Sequence, residues 1–226
     1  MIAERLKTVE RKIAEACKRA NRKRSEIRLI AVSKTQPDEA VLEAYKLGIK
    51  DFGENKAQEL KRKASDIKEN ITWHFIGHLQ TNKVKDVVKV SEFIHSVDSI
   101  KLANEINKRA GKAGKKQKVL LEINTSGEET KYGLRDEKEI IALARFCTEA
   151  GNLELTGLMT MAPFVQDEKI LRNCFGSLRE LKEKLNRQGF NITELSMGMT
   201  NDYEIAVEEG ATMLRIGTAI FGSRKY

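Results

Sequence analysis

Lys34 directly follows the apolar run Leu29-Ile30-Ala31-Val32-Ser33, so its stem starts at the mouth of a buried strand. A lysine partly removed from water and set near other cations loses affinity for its proton, and a neutral amine condenses with aldehydes to a Schiff base. Near the other end, Ser196-Met197-Gly198-Met199-Thr200 precedes a helical pattern, and Gly217-Thr218-Ala219 follows an apolar run. Glycines let backbone N–H groups approach an anion, hydroxyls add donors, and a helix N-terminus adds a favourable dipole. Arg215 lies between Leu214 and Ile216. Burying it there demands a partner, either a carboxylate of this chain or a ligand atom. His74 and His78 are four apart, a metal-ligand spacing on a helix. They fall instead on a strand and its exit with no third ligand in view, so a metal site is not expected. Met159, Met161, Met197 and Met199 are read as packing beside an occupant of this region or as plain core.

These residues need a scaffold that brings strand ends together. Ile2, Leu6, Val9, Ile13 and Cys17 make one helical stripe at the N-terminus. Short apolar runs then alternate with charged helical stretches. Strands are predicted at 28–33, 49–52, 72–76, 93–97, 119–123, 154–159, 192–196 and 212–216. Helices are predicted at 38–47, 55–67, 82–88, 100–109, 137–149, 168–188 and 202–208. Pro37 suits the start of the first intervening helix, and Gly48, Gly151, Gly189 and Gly210 suit helix C-termini. Eight such units after a leading helix point to an α/β fold, a single (β/α)8 TIM-type barrel with an additional N-terminal helix over residues 1–226. A doubly wound open sheet is the rival, but the first strand leads into Lys34-Thr35-Gln36-Pro37 with no Gly-rich phosphate loop. In a barrel, function gathers at the C-terminal ends of the strands, where Lys34, Ser196, Arg215, Gly217 and Thr218 all fall.

Charged residues at 33% and hydrophobic residues at 40% describe a globular chain and not a disordered one. Acidic residues arrive too early for a signal peptide, and no apolar stretch approaches the length of a membrane span. Cys17, Cys147 and Cys174 are odd in number and widely spaced, which favours reduced, packed thiols over a disulfide or zinc framework and suits the cytoplasm. Much of the net charge of +8 lies in Lys101–Lys118. Without interleaved aromatics or a nucleic-acid motif, this region reads as a solvated helix end; a scaffold binding nucleic acid or protein through it is the alternative.

Several stretches carry a family pattern. They are Leu29-Ile30-Ala31-Val32-Ser33-Lys34 with Pro37, Phe52-Gly53-Glu54-Asn55 with Gln58-Glu59, and Trp73-His74-Phe75-Ile76-Gly77 with Leu79-Gln80 and Asn82-Lys83. His95-Ser96-Val97-Asp98, Gly157-Leu158-Met159, Leu195-Ser196-Met197-Gly198-Met199 with Asp202, and Arg215-Ile216-Gly217-Thr218 with Phe221-Gly222 complete it. In these the chain resembles the pyridoxal phosphate homeostasis proteins, relatives of the alanine racemase barrel. The resemblance implies pyridoxal 5'-phosphate as cofactor, carried on Lys34. It also implies Ser196, Gly217 and Thr218 in the phosphate cradle and Arg215 facing the pyridine nitrogen. Asn55 is implied to line the pocket near the ring, with Met159 packing nearby. The family usually has Ser at the position of Thr200, and Thr keeps the hydroxyl.

The expected function is holding, buffering or delivering the cofactor in vitamin B6 balance, with no dedicated reaction. PLP-dependent apoenzymes are the possible acceptors, the state is monomeric, and neither membrane nor nucleic acid is a partner. A small PLP enzyme, a weak racemase or lyase, is the alternative. Against it, barrel racemases continue into a β-rich domain and use a tyrosine from that domain of the partner subunit. This sequence ends four residues after Gly222, and Tyr45, Tyr132, Tyr203 and Tyr226 have no obvious claim to that role. Two-sided proton transfer needs two positioned groups, and Lys34 is the only one the sequence nominates.

Overall fold

The computed structural model describes residues 1–128 and 130–222; Tyr226 lies outside them. Helix α1 (Ile2–Arg19) leads into β1 (Arg28–Val32), α2 (Asp38–Lys46), β2 (Asp51–Glu54), α3 (Ala57–Asp66) and β3 (Thr72–Phe75). Then come α4 (Val84–Val90), β4 (Phe93–Val97), α5 (Ile100–Lys112), β5 (Gln117–Glu122) and α6 (Glu137–Glu149). The chain continues through β6 (Leu153–Met159), α7 (Glu168–Arg187), β7 (Glu194–Ser196), α8 (Tyr203–Glu208), β8 (Met213–Ile216) and α9 (Thr218–Phe221). All eight strands are parallel and close in sequence order into one barrel, the (β/α)8 fold with its extra N-terminal helix.

Closure depends on strands buried on both faces, which is why β1 and β8 read as near-continuous apolar runs. Leu29, Ala31, Leu214 and Ile216 face the helices and join the large outer core. Ile30, Phe93, Leu120, Met159 and Met213 form a separate cluster inside the barrel. The register of β1 on β8 sets Ile30 beside Arg215 and Ala31 beside Ile216. Gly217 therefore follows beside Val32, and Lys34 leaves β1 at the same end.

The α1 stripe is buried, and the helix packs on α8 and α9. Lys12 pairs with Glu204 at 2.9 Å, Arg19 with Glu208 at 2.6 Å, and Arg5 donates to the Phe221 carbonyl at 2.9 Å. The extra helix thus braces the two elements behind β7 and β8.

Two local expectations are corrected. Strand β2 begins two residues later than its apolar signal, because Ile49 turns into the core from the loop while Asp51 and Glu54 find polar partners. Helix α2 begins at Asp38 with Pro37 as its N-cap, where the sequence places it. Gly48, Gly189 and Gly210 take positive φ after their helices, but Gly151 does not. The short α9 was not expected. Cys17, Cys147 and Cys174 are buried and unpaired, as anticipated. Among the described residues no helix is long and apolar enough to cross a membrane.

Candidate functional site

Lys34 leaves β1 half-buried, and the loop that carries it is held in an unusual way. Thr35 has φ 64°, in the left-handed region, which costs a non-glycine residue about 1–2 kcal/mol. Its N–H donates to Glu59 Oε1 at 2.7 Å, and the Gln36 N–H donates to the Ser33 carbonyl at 2.9 Å. Beneath this turn lies Lys63, fully buried on α3. Its ammonium donates to the Ser33 carbonyl at 2.6 Å, to Glu54 Oε1 at 2.7 Å and to Glu59 Oε1 at 2.9 Å, using all three protons. The Ser33 hydroxyl also donates to Glu54 Oε1 at 2.7 Å. Burial pushes the Glu54 carboxyl upward while Lys63 pulls the other way. Sequence reading missed Lys63 altogether, since one lysine on a charged helix looks like any other. The usable signal was its spacing of four from Glu59.

Arg215 is buried on β8 inside the barrel. One guanidinium nitrogen donates to Ser196 Oγ at 2.6 Å and another to the Thr160 carbonyl at 2.8 Å. Among the described residues it has no carboxylate within ion-pair distance, so a carboxylate partner inside the rim is not what holds it. Burial pulls its pKa down to about 10, with Asp202 and Glu122 opposing from farther off. Glu122, at the end of β5, is pushed up to about 7 by burial and by Asp98, against the pull of Arg215.

Ser196 is fully buried, and its hydroxyl also lies 2.9 Å from His95 Nδ1. His95 Nε2 is 2.9 Å from His74 Nδ1, and His74 Nε2 is 2.9 Å from Asp51 Oδ1. His74 thus faces the barrel interior, while His78 stacks on Tyr132 with ring centroids 4.0 Å apart. No group of three or more metal-ligating side chains occurs among the described residues.

Gly217 passes so close to β1 that a Cβ would sit 3.3 Å from the Val32 carbonyl. Thr218 and Ala219 follow it at the mouth, and the Ala219 N–H donates to Thr200 Oγ1 at 3.3 Å. Thr200 therefore brings its hydroxyl to these amides, whereas that of Ser196 is bonded to Arg215 and His95. Gly198 is buried with φ +94°, and a Cβ there would strike Ala206 at 2.6 Å, so it serves packing against α8. Asn55 is seated at the β2 exit by Gly77, whose Cβ would lie 2.3 Å from the Asn55 carbonyl. Met159 packs in the interior cluster, in register with Glu122 and Ser196. A surface groove of about 1010 Å³ between α1, α7 and α8 reaches this region only at its Thr200 edge.

The fold and site define a class first: the chain matches the alanine racemase N-terminal domain model over residues 5–225 and belongs to that family. Within it, the chain belongs with the pyridoxal phosphate homeostasis proteins. It is 45% identical to the one from Aquifex aeolicus over 226 residues, covering 99% of this chain and 98% of that protein. It is 42% identical to the human one, covering 98% of this chain and 86% of that protein. Among solved structures, PipY of Synechococcus elongatus with PLP bound superposes with a TM-score of 0.85 at 34% identity, covering 98% of this chain and all of that one.

The basic region extends from α5 toward β5, at the end of the barrel opposite the site. Lys115 donates to the Val88 and Ser91 carbonyls, Lys118 pairs with Glu92, and Arg109 pairs with Glu105. These side chains are committed within the fold.

Proposed function

We propose that this chain binds pyridoxal 5'-phosphate on Lys34 and serves PLP homeostasis as a holder of the cofactor, without a dedicated reaction of its own. When bound, the group supplies an aldehyde that condenses reversibly with amines. The observation that carries the reading is the nearness of Lys34, at one strand exit, to a buried Arg215 on the adjacent strand, bonded among the described residues to neutral acceptors. A guanidinium so placed has N–H groups left to meet a ring nitrogen, and donating to that nitrogen keeps it unprotonated, which weakens the ring as an electron sink. That suits storage more than carbanion chemistry.

Lys34 carries the aldehyde carbon. Gly217 and Thr218 receive the phosphate through backbone amides, joined by the Thr200 hydroxyl. Ser196 supports Arg215 from below, Asn55 lines the ring edge, and Met159 closes the floor. The domain spans residues 1–226, and the protein works as a cytoplasmic monomer that exchanges cofactor with solution and PLP-dependent apoenzymes. Spectrophotometric titration with pyridoxal phosphate tests this: wild type should develop the visible absorbance of lysine-bound cofactor and Lys34→Ala should not. Equal spectra from both would remove the reading.

A further inference from the structure

Five side chains from five strands make one continuous line of hydrogen bonds through the barrel. It runs from Arg215 to Ser196 Oγ at 2.6 Å, on to His95, His74 and finally Asp51 Oδ1, the last three steps each 2.9 Å. Arg215 lies toward the C-terminal end of its strand and Asp51 at the start of β2, so the line descends from the mouth toward the opposite end. His74, His95 and Ser196 are fully buried, so water does not complete their bonding.

The ends of the line are chemically fixed. A guanidinium only donates. The Asp51 carboxylate also receives Arg28 at 2.9 Å, so it only accepts. Between them stand a hydroxyl and two imidazoles. A neutral imidazole donates from one nitrogen and accepts at the other. One order then satisfies every contact: Arg215 donates to Ser196, Ser196 to His95 Nδ1, His95 Nε2 to His74 Nδ1, and His74 Nε2 to Asp51. An extra proton on His74 would reverse the middle links and leave the Ser196 proton without an acceptor on the line. An extra proton on His95 would set an imidazolium close to the buried Arg215.

We propose that His95, His74 and Asp51 are positioning residues for Arg215, acting through Ser196. They draw the Ser196 proton down the barrel, leave Ser196 Oγ as an acceptor, and so fix the guanidinium for an acceptor lying above it. Its consequence for the ring nitrogen rests on the cofactor reading given above; the donor order itself does not. A second consequence is that the Ser196 hydroxyl has no proton to offer a phosphate, which leaves that task to the Thr200 hydroxyl and backbone amides.

The chain has three histidines, so heteronuclear NMR of the imidazole nitrogens in the full-length protein without added cofactor reads the order directly. His78→Gln and His74→Gln variants supply the assignments. His74 and His95 should both be neutral with the proton on Nε2. A proton on Nδ1 of His95 would overturn the proposal. A second test compares His95→Asn, which can keep an acceptor near the Nδ1 position, with His95→Leu, which is nearer in volume but accepts nothing. In titrations with pyridoxal phosphate, the Leu variant should bind about tenfold more weakly than wild type, and the Asn variant within about threefold. Equal or better binding by Leu than by Asn would reduce His95 to packing. If wild type bound no pyridoxal phosphate, the cofactor reading alone would fall, and the NMR would still decide the donor order.

Discussion

The Lys63 ammonium lies 2.6 Å from the carbonyl oxygen of Ser33, the residue that precedes Lys34. A fully buried cation on α3 therefore sits directly behind the loop that presents the proposed cofactor lysine. Replacing it with Met would leave Glu54 and Glu59 without their shared partner. Removal of one member of a buried ion pair costs about 3–5 kcal/mol. Urea unfolding of Lys63→Met should show a loss in that range. A change under about 1 kcal/mol would mean that the network contributes little to stability.

Gly77 bears on the neighbouring loop. An added Cβ would overlap the Asn55 carbonyl at 2.3 Å, a backbone atom that cannot rotate aside. Gly77→Ala should destabilise by about 1–3 kcal/mol and displace the loop carrying Asn55. Unfolding curves measure the first effect. Weaker binding of pyridoxal phosphate in the same variant measures the second.

Much of this was legible in the sequence. Strand β4 and helix α6 have the boundaries their apolar periodicity predicts, because both carry unbroken patterns between polar flanks. The strand-exit residues were legible too, since a lysine or glycine following an apolar run marks the barrel mouth whatever its neighbours are. The polar interior was not. His74 lies 21 residues from His95, and His95 lies 101 residues from Ser196, so nothing local couples them. Glu54 misplaced the end of β2 for the same reason: a carboxylate in a strand looks like a loop until its distant partners are in place.

Glu122 should make stability depend on pH. Its carboxyl is pushed up to about 7 from an ordinary value of 4.5. A buried acid with a raised pKa is tolerated while protonated, and its ionisation opposes folding. The associated stability is complete below about 4.5 and is lost as pH rises through 7. Glu122→Gln does not ionise. It should lie within about 1 kcal/mol of wild type at pH 5 and gain up to about 3 kcal/mol over it by pH 8. Thermal unfolding at the two pH values checks this, and a difference that does not change with pH would contradict it.

Arg215 separates folding from function. Buried charges replaced by apolar groups of similar volume often leave stability unchanged or improved. Among the described residues, Ser196 Oγ and the Thr160 carbonyl lose a donor here. Arg215→Met should hold apo-protein stability within about 2 kcal/mol of wild type, since one orphaned buried carbonyl offsets the relief of a buried charge. Its affinity for pyridoxal phosphate should fall at least about tenfold. Loss of folding without loss of affinity would assign Arg215 a structural role.

Reduction of the protein with borohydride in the presence of pyridoxal phosphate, followed by peptide mass mapping, tests the central claim most directly. The chain has 26 lysines, so the label has many possible destinations. The account expects the pyridoxyl phosphate mass on the peptide containing Lys34 at one equivalent per chain, and its absence from that peptide in Lys34→Ala. Label spread over surface lysines, with Lys34 unmodified, would contradict it.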